Sequence, residues 1–243
     1  MAERVADVNE RIAQAAYRAG RRPEEITLIA ATKTQSIERI AEALAAGITH
    51  VGENRVQEAV GKRATLEAMT SARPTWHLIG HLQRNKVKPA IATFDVIHSL
   101  DSVRLAQQLN QSLSEQQEQP GRLPVLLQVN ISGEASKHGL ALPGGPANTI
   151  ALERLLADSA QIAALPHLDL RGVMTIAPLM PDPQLAQPFF RQLSQVREIL
   201  AQQLPQHSWQ HLSMGMTNDF EAAIAEGATM IRVGRALFGE RPT

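Results

Sequence analysis

A lysine stands where a short apolar run gives way to polar residues. Lys33 follows the apolar segment 28–32, and a polar segment, 34–36, separates it from a helical periodicity. If the run is a buried strand, the Lys33 ammonium lies at the mouth of a pocket, where loss of solvent favours the neutral amine. A neutral lysine amine attacks carbonyl compounds and forms imines. Lys33 is therefore the first candidate for chemistry, and the alternative is a surface lysine that ends a strand.

Two glycine-containing turns near the C-terminal end could hold an anion. One predicted strand ends at Ser213 and leads through Gly215 to a helix start, and the last, 230–233, leads through Gly234 and Arg235 to another. Backbone N–H groups at helix starts attract phosphate, and glycine lets a ligand approach the backbone closely. Each glycine alone could mark an ordinary helix-capping turn. Their joint position after the last two strands favours a phosphate site.

An arginine lies within the last predicted strand. Because Arg232 alternates with Val233, its guanidinium is expected to point into the mouth of the fold. A permanently charged group there needs a partner. One interpretation is structural pairing with a carboxylate, for which the candidates are Glu53, Asp219 and Glu221. The other is a hydrogen bond to a ring nitrogen of a bound cofactor.

Short β-rich runs alternate with longer amphipathic ones, which predicts parallel strands joined by crossover helices in an α/β fold. Strands are predicted at 27–31, 49–51, 75–79, 96–98, 125–130, 168–174, 210–213 and 230–233. Helices are predicted at 2–19, 37–46, 55–69, 102–117, 152–163, 188–203 and 219–226. Eight such units indicate a single (β/α)8 TIM barrel over 1–243, with an extra N-terminal helix. A doubly wound open sheet is the alternative, but no Gly-x-Gly-x-x-Gly follows the first strand.

Composition and charge narrow the class of protein. The chain has 243 residues and is 44% hydrophobic, which is enough for a sizeable core. Lys+Arg and Asp+Glu are balanced at 24 each, so no overall field attracts nucleic acid or an anionic membrane. No cysteine is present, which excludes disulfides and thiolate sites and agrees with a reducing compartment. Because no secretion signal or membrane-spanning run is apparent, we expect a cytoplasmic protein.

The histidines invite a metal-site interpretation, which the sequence does not favour. His77 ends a predicted strand and His81 lies in the next loop, so the two do not share a helix face. No carboxylate or thiol is evident that would complete a ligand set with them or with His138. We therefore expect no metal site.

Several motifs, taken as a set, are specific. They read A-A-T-K-T-Q at 30–35, G-E-N-R-V-Q-E at 52–58, W-H-L-I-G-H-L-Q-R-N-K at 76–86, V-N-I at 129–131, S-K at 136–137, G-V-M at 172–174, L-S-M-G-M at 212–216 and R-V-G at 232–234. Nearly end to end, the chain resembles the pyridoxal phosphate homeostasis proteins, whose fold is similar to the barrel domain of bacterial alanine racemase. The resemblance implies the fold-type III class of barrels that bind pyridoxal 5′-phosphate (PLP).

The resemblance also implies site roles. Lys33 would form the internal aldimine, a Schiff base, with PLP. The other implied cofactor-binding residues are Asn54, His77, Met174, Ser213, Gly215, Arg232, Gly234 and Arg235. Asn54 would lie beside the ring, and Arg232 would meet the pyridine nitrogen. Ser213 and the backbone around Gly234 and Arg235 would bind the phosphate. Arg235 stands where many relatives carry a small residue, so the resemblance leaves open whether its side chain adds a contact to the phosphate.

Two sets of basic residues remain. Three cluster at a predicted helix start, where a solvated face is the simplest interpretation: Arg84, Lys86 and Lys88. Nucleic-acid binding would need a broader basic stripe with stacking aromatics, and aromatics make up only 3% of the chain. Lys137 lies in a glycine-flanked loop after the fifth strand. We predict that it contacts the cofactor phosphate or accepts the aldehyde transiently during release.

The implied function is PLP homeostasis, meaning storage, buffering or delivery of the cofactor, and thereby amino-acid and keto-acid balance. Efficient catalysis is not expected, because racemases related by fold use a tyrosine from a second domain, whereas Tyr17 belongs to the first helix. We expect a monomer, with apo PLP-dependent enzymes as candidate recipients. Three alternatives stay open: a low-activity PLP-dependent amino-acid racemase or lyase, a cofactor-free barrel enzyme acting on a sugar phosphate, and an interaction module.

Overall fold

The chain folds as a closed ring of parallel strands wrapped by helices. The structure is a computed structural model and describes residues 1–115 and 121–240. Its strands are β1 (Thr27–Ala31), β2 (His50–Glu53), β3 (Thr75–Leu78), β4 (Val96–Leu100), β5 (Leu123–Asn130), β6 (Leu140–Ala141), β7 (Leu168–Met174), β8 (His211–Met216) and β9 (Met230–Val233). Its α-helices are α1 (Ala2–Arg18), α2 (Ile37–Ala45), α3 (Val56–Met69), α4 (Val87–Thr93), α5 (Val103–Ser114), α6 (Thr149–Ala163), α7 (Gln187–Gln203), α8 (Phe220–Ala225) and α9 (Arg235–Phe238).

The strand pairing confirms the predicted (β/α)8 barrel. β1 pairs with β2 on one side and with β9 on the other, and the pairing of β4 with β5 closes the ring. Among the described strands, β6 pairs only with β5, where Leu140 lies opposite Val129, so this two-residue strand is an addition to the eight-stranded ring. In a barrel of this kind the carboxyl ends of the strands surround one mouth, so the segments that follow β1, β2, β8 and β9 share that mouth.

Several predicted boundaries differ from the observed ones. The predicted strand 210–213 is wrong at its end, because β8 continues to Met216. β2 likewise extends to Glu53, two residues beyond its predicted end. The unpredicted helix α4 is only seven residues long and too short for a clear periodicity. The predicted helix end at Gln117 and the start of the predicted loop at Gln119 lie outside the described residues.

The helix α1 supports the ring through one apolar stripe. Its residues Val5, Val8 and Ile12 are buried at the three- and four-residue spacing of an amphipathic helix, and α1 packs against α8 and α9. Arg11 Nη2 lies 2.6 Å from Glu221 Oε1, and its guanidinium lies 4.7 Å from the centre of the Phe220 ring. These contacts fix α1 beside the two short helices that follow β8 and β9.

The barrel has a small interior core and a larger outer one. The interior core consists of Ile29, Leu126, Met174 and Met230, which come from four strands, and the outer core joins the strands to the helices. At Gly52 a Cβ atom would lie 2.9 Å from the Ile29 side chain. The interior is therefore closely packed beneath the mouth. Across the described ranges, no helix is both long and apolar enough to cross a bilayer.

Candidate functional site

Lys33 lies two residues beyond the end of β1, in a turn with an unusual backbone. Thr34 has a φ of +64°, which is uncommon for a β-branched residue. Its N–H donates to Glu58 Oε1 at 2.8 Å, and the Thr32 N–H donates to the Gly52 carbonyl at 2.9 Å. Ser36 then caps α2 by accepting from the Arg39 N–H. The half-buried Lys33 is thus held between a strand and a capped helix, by a backbone that its surroundings keep strained.

A buried group of charges lies beneath this turn. Lys62 Nζ donates to Glu53 Oε1 at 2.7 Å, to Glu58 Oε1 at 2.6 Å and to the Thr32 carbonyl at 2.7 Å. These three bonds use all of its donors. Burial raises the pKa of Glu53, and the hydrogen bonds from Lys62 and Thr32 act against that rise. Glu53 Oε2 is buried and has no hydrogen-bond partner among the described residues. The group ties the end of β1 to β2 and α3.

Asn54 follows β2 and is half-buried at the mouth. The segment after β3 presses on its backbone, since a Cβ atom on Gly80 would lie 2.3 Å from the Asn54 carbonyl oxygen. Only glycine permits this approach. The position of Asn54 is thus fixed by a neighbouring loop.

Arg232 is buried within β9 and is held by neutral acceptors. Nη1 donates to Ser213 Oγ at 2.6 Å and Nη2 donates to the Thr175 carbonyl at 2.8 Å. Burial lowers the pKa of Arg232 to about 10 and Asp219 acts against that fall, so the guanidinium stays protonated at neutral pH.

The three carboxylates considered as structural partners of Arg232 have other partners. Glu53 pairs with Lys62 and Glu221 with Arg11. Asp219 Oδ1 accepts the Met216 N–H at 2.6 Å.

The two turns predicted to hold an anion lie side by side. The turn after β8 begins at Thr217, and the Asn218 side chain there accepts a hydrogen bond from Arg235 Nη2 at 2.9 Å. Because β8 extends to Met216, Ser213 lies inside the strand, fully buried behind Arg232. Its predicted phosphate contact stays a prediction, although its hydroxyl is already used by Arg232 in this structure. Thr217 and Asn218 are the polar residues that the turn itself presents.

The two predicted site glycines differ in their surroundings. Gly215 has a φ of +91°, and a Cβ atom there would lie 2.7 Å from Ala223 Cβ and 2.9 Å from Phe220 Cα. It is required for the packing of α8 on β8. At Gly234 a Cβ atom would make only ordinary contacts, 3.5 Å from Ala31, so the fold has room for a methyl group at that position.

The structure places His77 inside the barrel, with both ring nitrogens used. Nε2 lies 2.9 Å from His50 Nδ1 and Nδ1 lies 2.8 Å from His98 Nε2. A direct cofactor contact from His77 stays a prediction that this arrangement does not favour. His50 and His98 were missed by the sequence reasoning. The signal that could have found them is the alternation of side chains along β2 and β4, which turns both histidines toward the barrel interior. Met174 is fully buried in the interior core below the mouth.

Lys137 lies in the loop between β5 and β6. Asn130 organises this loop, because its side-chain amide donates to the carbonyls of Glu134 and Lys137 at 3.0 and 3.2 Å. Lys137 pairs with Glu134, and this hydrogen bond is the main cause that lowers the pKa of the Glu134 carboxyl. The predicted role of Lys137 in cofactor release would require this ion pair to open.

One expectation about metals needs correction. A carboxylate does complete a group with His81 and His138, because Asp101 Oδ2 lies 3.0 Å from His81 Nδ1 and ligand atoms of all three lie within 4.8 Å of one another. The rings of His81 and His138 are stacked, with centroids 3.7 Å apart and planes 10° from parallel. Lone pairs in two parallel ring planes do not converge on one ion, so the group as arranged is a stack of two rings with a close contact between His81 and Asp101.

Comparisons with known proteins agree with this geometry. The family described as "Alanine racemase, N-terminal domain" matches residues 7–242. A protein of Pseudomonas aeruginosa named pyridoxal phosphate homeostasis protein is 41% identical over 99% of this chain and 96% of its own length. The chain belongs to the pyridoxal phosphate homeostasis protein family. A relative of the same name from Aquifex aeolicus is 40% identical over 98% of this chain and 97% of its own length. The resemblance drawn from the sequence motifs is therefore confirmed.

Solved structures in this family match the barrel. PipY of Synechococcus elongatus PCC7942, solved without PLP, has a TM-score of 0.81 and 40% identity and covers 98% of this chain and 100% of its own. The same protein with PLP bound has a TM-score of 0.79 and 39% identity, over 98% and 99% of the two chains. Alanine racemase of Clostridium difficile 630 is 14% identical, with a TM-score of 0.64 over 98% of this chain and 60% of its own, which shows a shared fold alone.

Proposed function

We propose that this protein binds pyridoxal 5′-phosphate at the mouth of the barrel, through a covalent bond between the Lys33 amine and the cofactor aldehyde. It holds the cofactor for storage, buffering or delivery, and so contributes to amino-acid and keto-acid balance. The observation that carries the proposal is the joint placement of the half-buried Lys33, a buried arginine with neutral partners, and a turn whose Gly234 has room for a methyl group. PipY, which is similar over its whole length, has been solved with PLP bound.

The donor set fits the group. When bound, PLP supplies an aldehyde that captures amines and a pyridine ring that withdraws electrons. Arg232 has only N–H donors, which suits the lone pair of a ring nitrogen. An arginine there disfavours protonation of the ring and weakens electron withdrawal. This arrangement favours holding the cofactor over driving chemistry on bound amino acids.

The phosphate belongs in the two turns after β8 and β9. Gly234 is only half-buried there, and Arg235 adds a positive charge that is already anchored to Asn218. Backbone N–H groups and a guanidinium are the donors that a phosphate dianion requires.

The two glycines provide a matched test of this placement. Gly234→Ala is expected to keep the free energy of unfolding within about 1 kcal/mol of the original, because the new methyl group meets only ordinary contacts. It should weaken PLP binding about tenfold, since it fills the proposed phosphate position. Gly215→Ala should instead cost about 2 kcal/mol of stability through overpacking against α8. Urea unfolding and fluorescence titration with PLP measure the two effects, and unchanged affinity in Gly234→Ala would place the phosphate elsewhere.

The covalent proposal is tested by spectroscopy and mass analysis of the purified protein. With PLP added, we expect an absorbance band near the visible edge that disappears on borohydride reduction, and a reduced adduct on the peptide that contains Lys33. No band in excess PLP, or an adduct confined to another lysine such as Lys137, would contradict the proposal. Rapid turnover of amino-acid enantiomers by the loaded protein would show that it is a catalyst and does not merely hold the cofactor.

The partners are part of the proposal. The chain's single tyrosine, Tyr17, is exposed on α1, so a tyrosine acid/base opposite Lys33 is not supplied by this chain. We propose a cytoplasmic monomer whose open mouth lets apo PLP-dependent enzymes receive the cofactor.

A further inference from the structure

A continuous chain of hydrogen bonds crosses the barrel interior from Arg232 to His50. Arg232 Nη1 lies 2.6 Å from Ser213 Oγ, which lies 2.9 Å from His98 Nδ1. His98 Nε2 lies 2.8 Å from His77 Nδ1, and His77 Nε2 lies 2.9 Å from His50 Nδ1. The five residues come from β9, β8, β4, β3 and β2. We call this set the histidine chain.

The two ends of the histidine chain face opposite ends of the barrel. Arg232 binds the carbonyl of Thr175, directly after the end of β7, and so lies near the mouth. His50 is the first residue of β2, is half-buried, and lines a cavity of about 220 Å³ at the other end of the barrel. Ser213, His77 and His98 between them are buried. Their partners are therefore each other, since water is excluded.

The donors and acceptors of the histidine chain can be assigned by starting from Arg232. A guanidinium only donates, so Ser213 Oγ accepts from it and has one proton to give. Within the described part of the chain, the other hydrogen-bond partner of Ser213 Oγ is His98 Nδ1, which must then be the acceptor because a buried unpaired hydroxyl proton is costly. His98 therefore carries its proton on Nε2 and donates to His77.

The same assignment repeats along the histidine chain. His77 Nδ1 accepts from His98, so His77 carries its proton on Nε2 and donates to His50 Nδ1. All the bonds then point in one direction, away from the arginine, and each strengthens the next. Extra protons on His77 or His98 would put two donors face to face. Burial first, and neighbouring charges second, lower the pKa of His77 to about 3 and that of His98 well below its usual range, which keeps both rings neutral.

We propose that His98, supported by His77 and His50, is a positioning residue for Arg232. By accepting the Ser213 proton, His98 turns an oxygen lone pair toward Nη1 and so fixes the guanidinium. The remaining Arg232 donors are thereby held in one orientation at the mouth, where they meet the ring nitrogen of the cofactor. This last step depends on the proposed function, whereas the hydrogen-bond direction does not.

Nitrogen NMR of the cofactor-free protein tests the direction of the hydrogen bonds in the histidine chain. In uniformly ¹⁵N-labelled protein near neutral pH, we expect His50, His77 and His98 to be neutral with the proton on Nε2. Assignment comes from single His→Gln variants. A proton on Nδ1 of His98, or a charged His98, would overturn the proposal, and this result is independent of whether PLP binds at all.

Two substitutions at one position test the positioning of Arg232. His98→Leu removes the acceptor, whereas the Oδ1 atom of His98→Asn occupies nearly the place of Nδ1 and accepts the same proton. In the loaded protein, His98→Leu should shift the cofactor absorbance band and speed PLP release about tenfold, because the bond from the Arg232 guanidinium to Ser213 loses its fixed direction. His98→Asn should restore both to within about twofold.

The controls separate positioning from a general loss of structure. His207→Asn removes a histidine that is not part of the histidine chain. It should change neither the absorbance band nor the rate of PLP release. Equal effects of Leu and Asn at position 98, or an unshifted band in a folded His98→Leu protein, would overturn the proposal. If His98→Leu does not fold, the NMR assignment and the behaviour of His98→Asn decide the matter. Absence of any band in the unsubstituted protein would contradict the proposed function and leave the NMR result standing.

Discussion

Replacement of Lys33 by alanine is expected to abolish the absorbance band and the reducible adduct and to weaken PLP binding at least a hundredfold, or about 2.7 kcal/mol. The reason is that Lys33 is the amine held at the mouth by the strained Thr34 turn and the α2 cap. Absorbance titration and mass analysis after borohydride measure the loss. The fold should be retained, because Lys33 is half-buried and lies outside both hydrophobic cores.

Lys33→Arg is the matched control for this prediction. It places a positive charge at the same position but cannot form the carbon–nitrogen bond, since a guanidinium stays protonated. We expect it to lose the band as completely as Lys33→Ala while keeping more of the affinity for the phosphate dianion. A persistent reducible adduct in either variant would show that another amine captures the aldehyde, and Lys137→Ala in the same background would then identify it.

Replacement of Lys62 by methionine is expected to lower the free energy of unfolding by about 3 kcal/mol, because it leaves Glu53 buried without its cation. Methionine fills a similar volume, so the loss reports the charge and its hydrogen bonds. Three acceptors would each lose the donor that Lys62 supplies: the Glu53 and Glu58 carboxylates and the Thr32 carbonyl. Urea unfolding with an unchanged slope is the measurement.

Two controls define the origin of the Lys62 effect. Glu53→Gln combined with Lys62→Met removes the unpaired charge and should recover at least about 1 kcal/mol of the loss. Lys88→Met breaks an exposed pair with Glu115, in which the side chains are 71% and 48% exposed, and should change stability by less than about 0.5 kcal/mol. A loss in Lys62→Met no larger than that in Lys88→Met would show that the buried group contributes little.

Much of the barrel was predictable from local pattern. β1, β7 and β9 have the predicted bounds, because apolar residues that the barrel buries recur along each of them. Lys33 could be chosen because the change from apolar to polar residues marks the carboxyl end of a strand. The fold then follows from the alternation of such runs with amphipathic helices, since parallel strands require crossover connections.

The end of β8 was not predictable in this way. The segment 213–216 contains a serine and a glycine, which are typical of turns, yet it stays part of β8 through Met216, because it pairs with β9 across an irregularity in register between Ser213 and Met216. Three additional strand residues moved Ser213 from the expected phosphate turn to the barrel interior behind Arg232. Tertiary pairing overrode the local signal, because a backbone that gains ladder hydrogen bonds on a neighbouring strand stays extended despite weak propensity.

The sequence by itself determined most of the strand and helix units, the order of the turns along the chain, and the candidate lysine, because each depends on residues that are neighbours in the chain. Only the tertiary structure decided the partners of Arg232, the difference between Gly215 and Gly234, and the alignment of His50, His77 and His98. These features join residues from strands far apart in sequence. Closure of the ring brings them within hydrogen-bonding distance, and no local pattern encodes that distance.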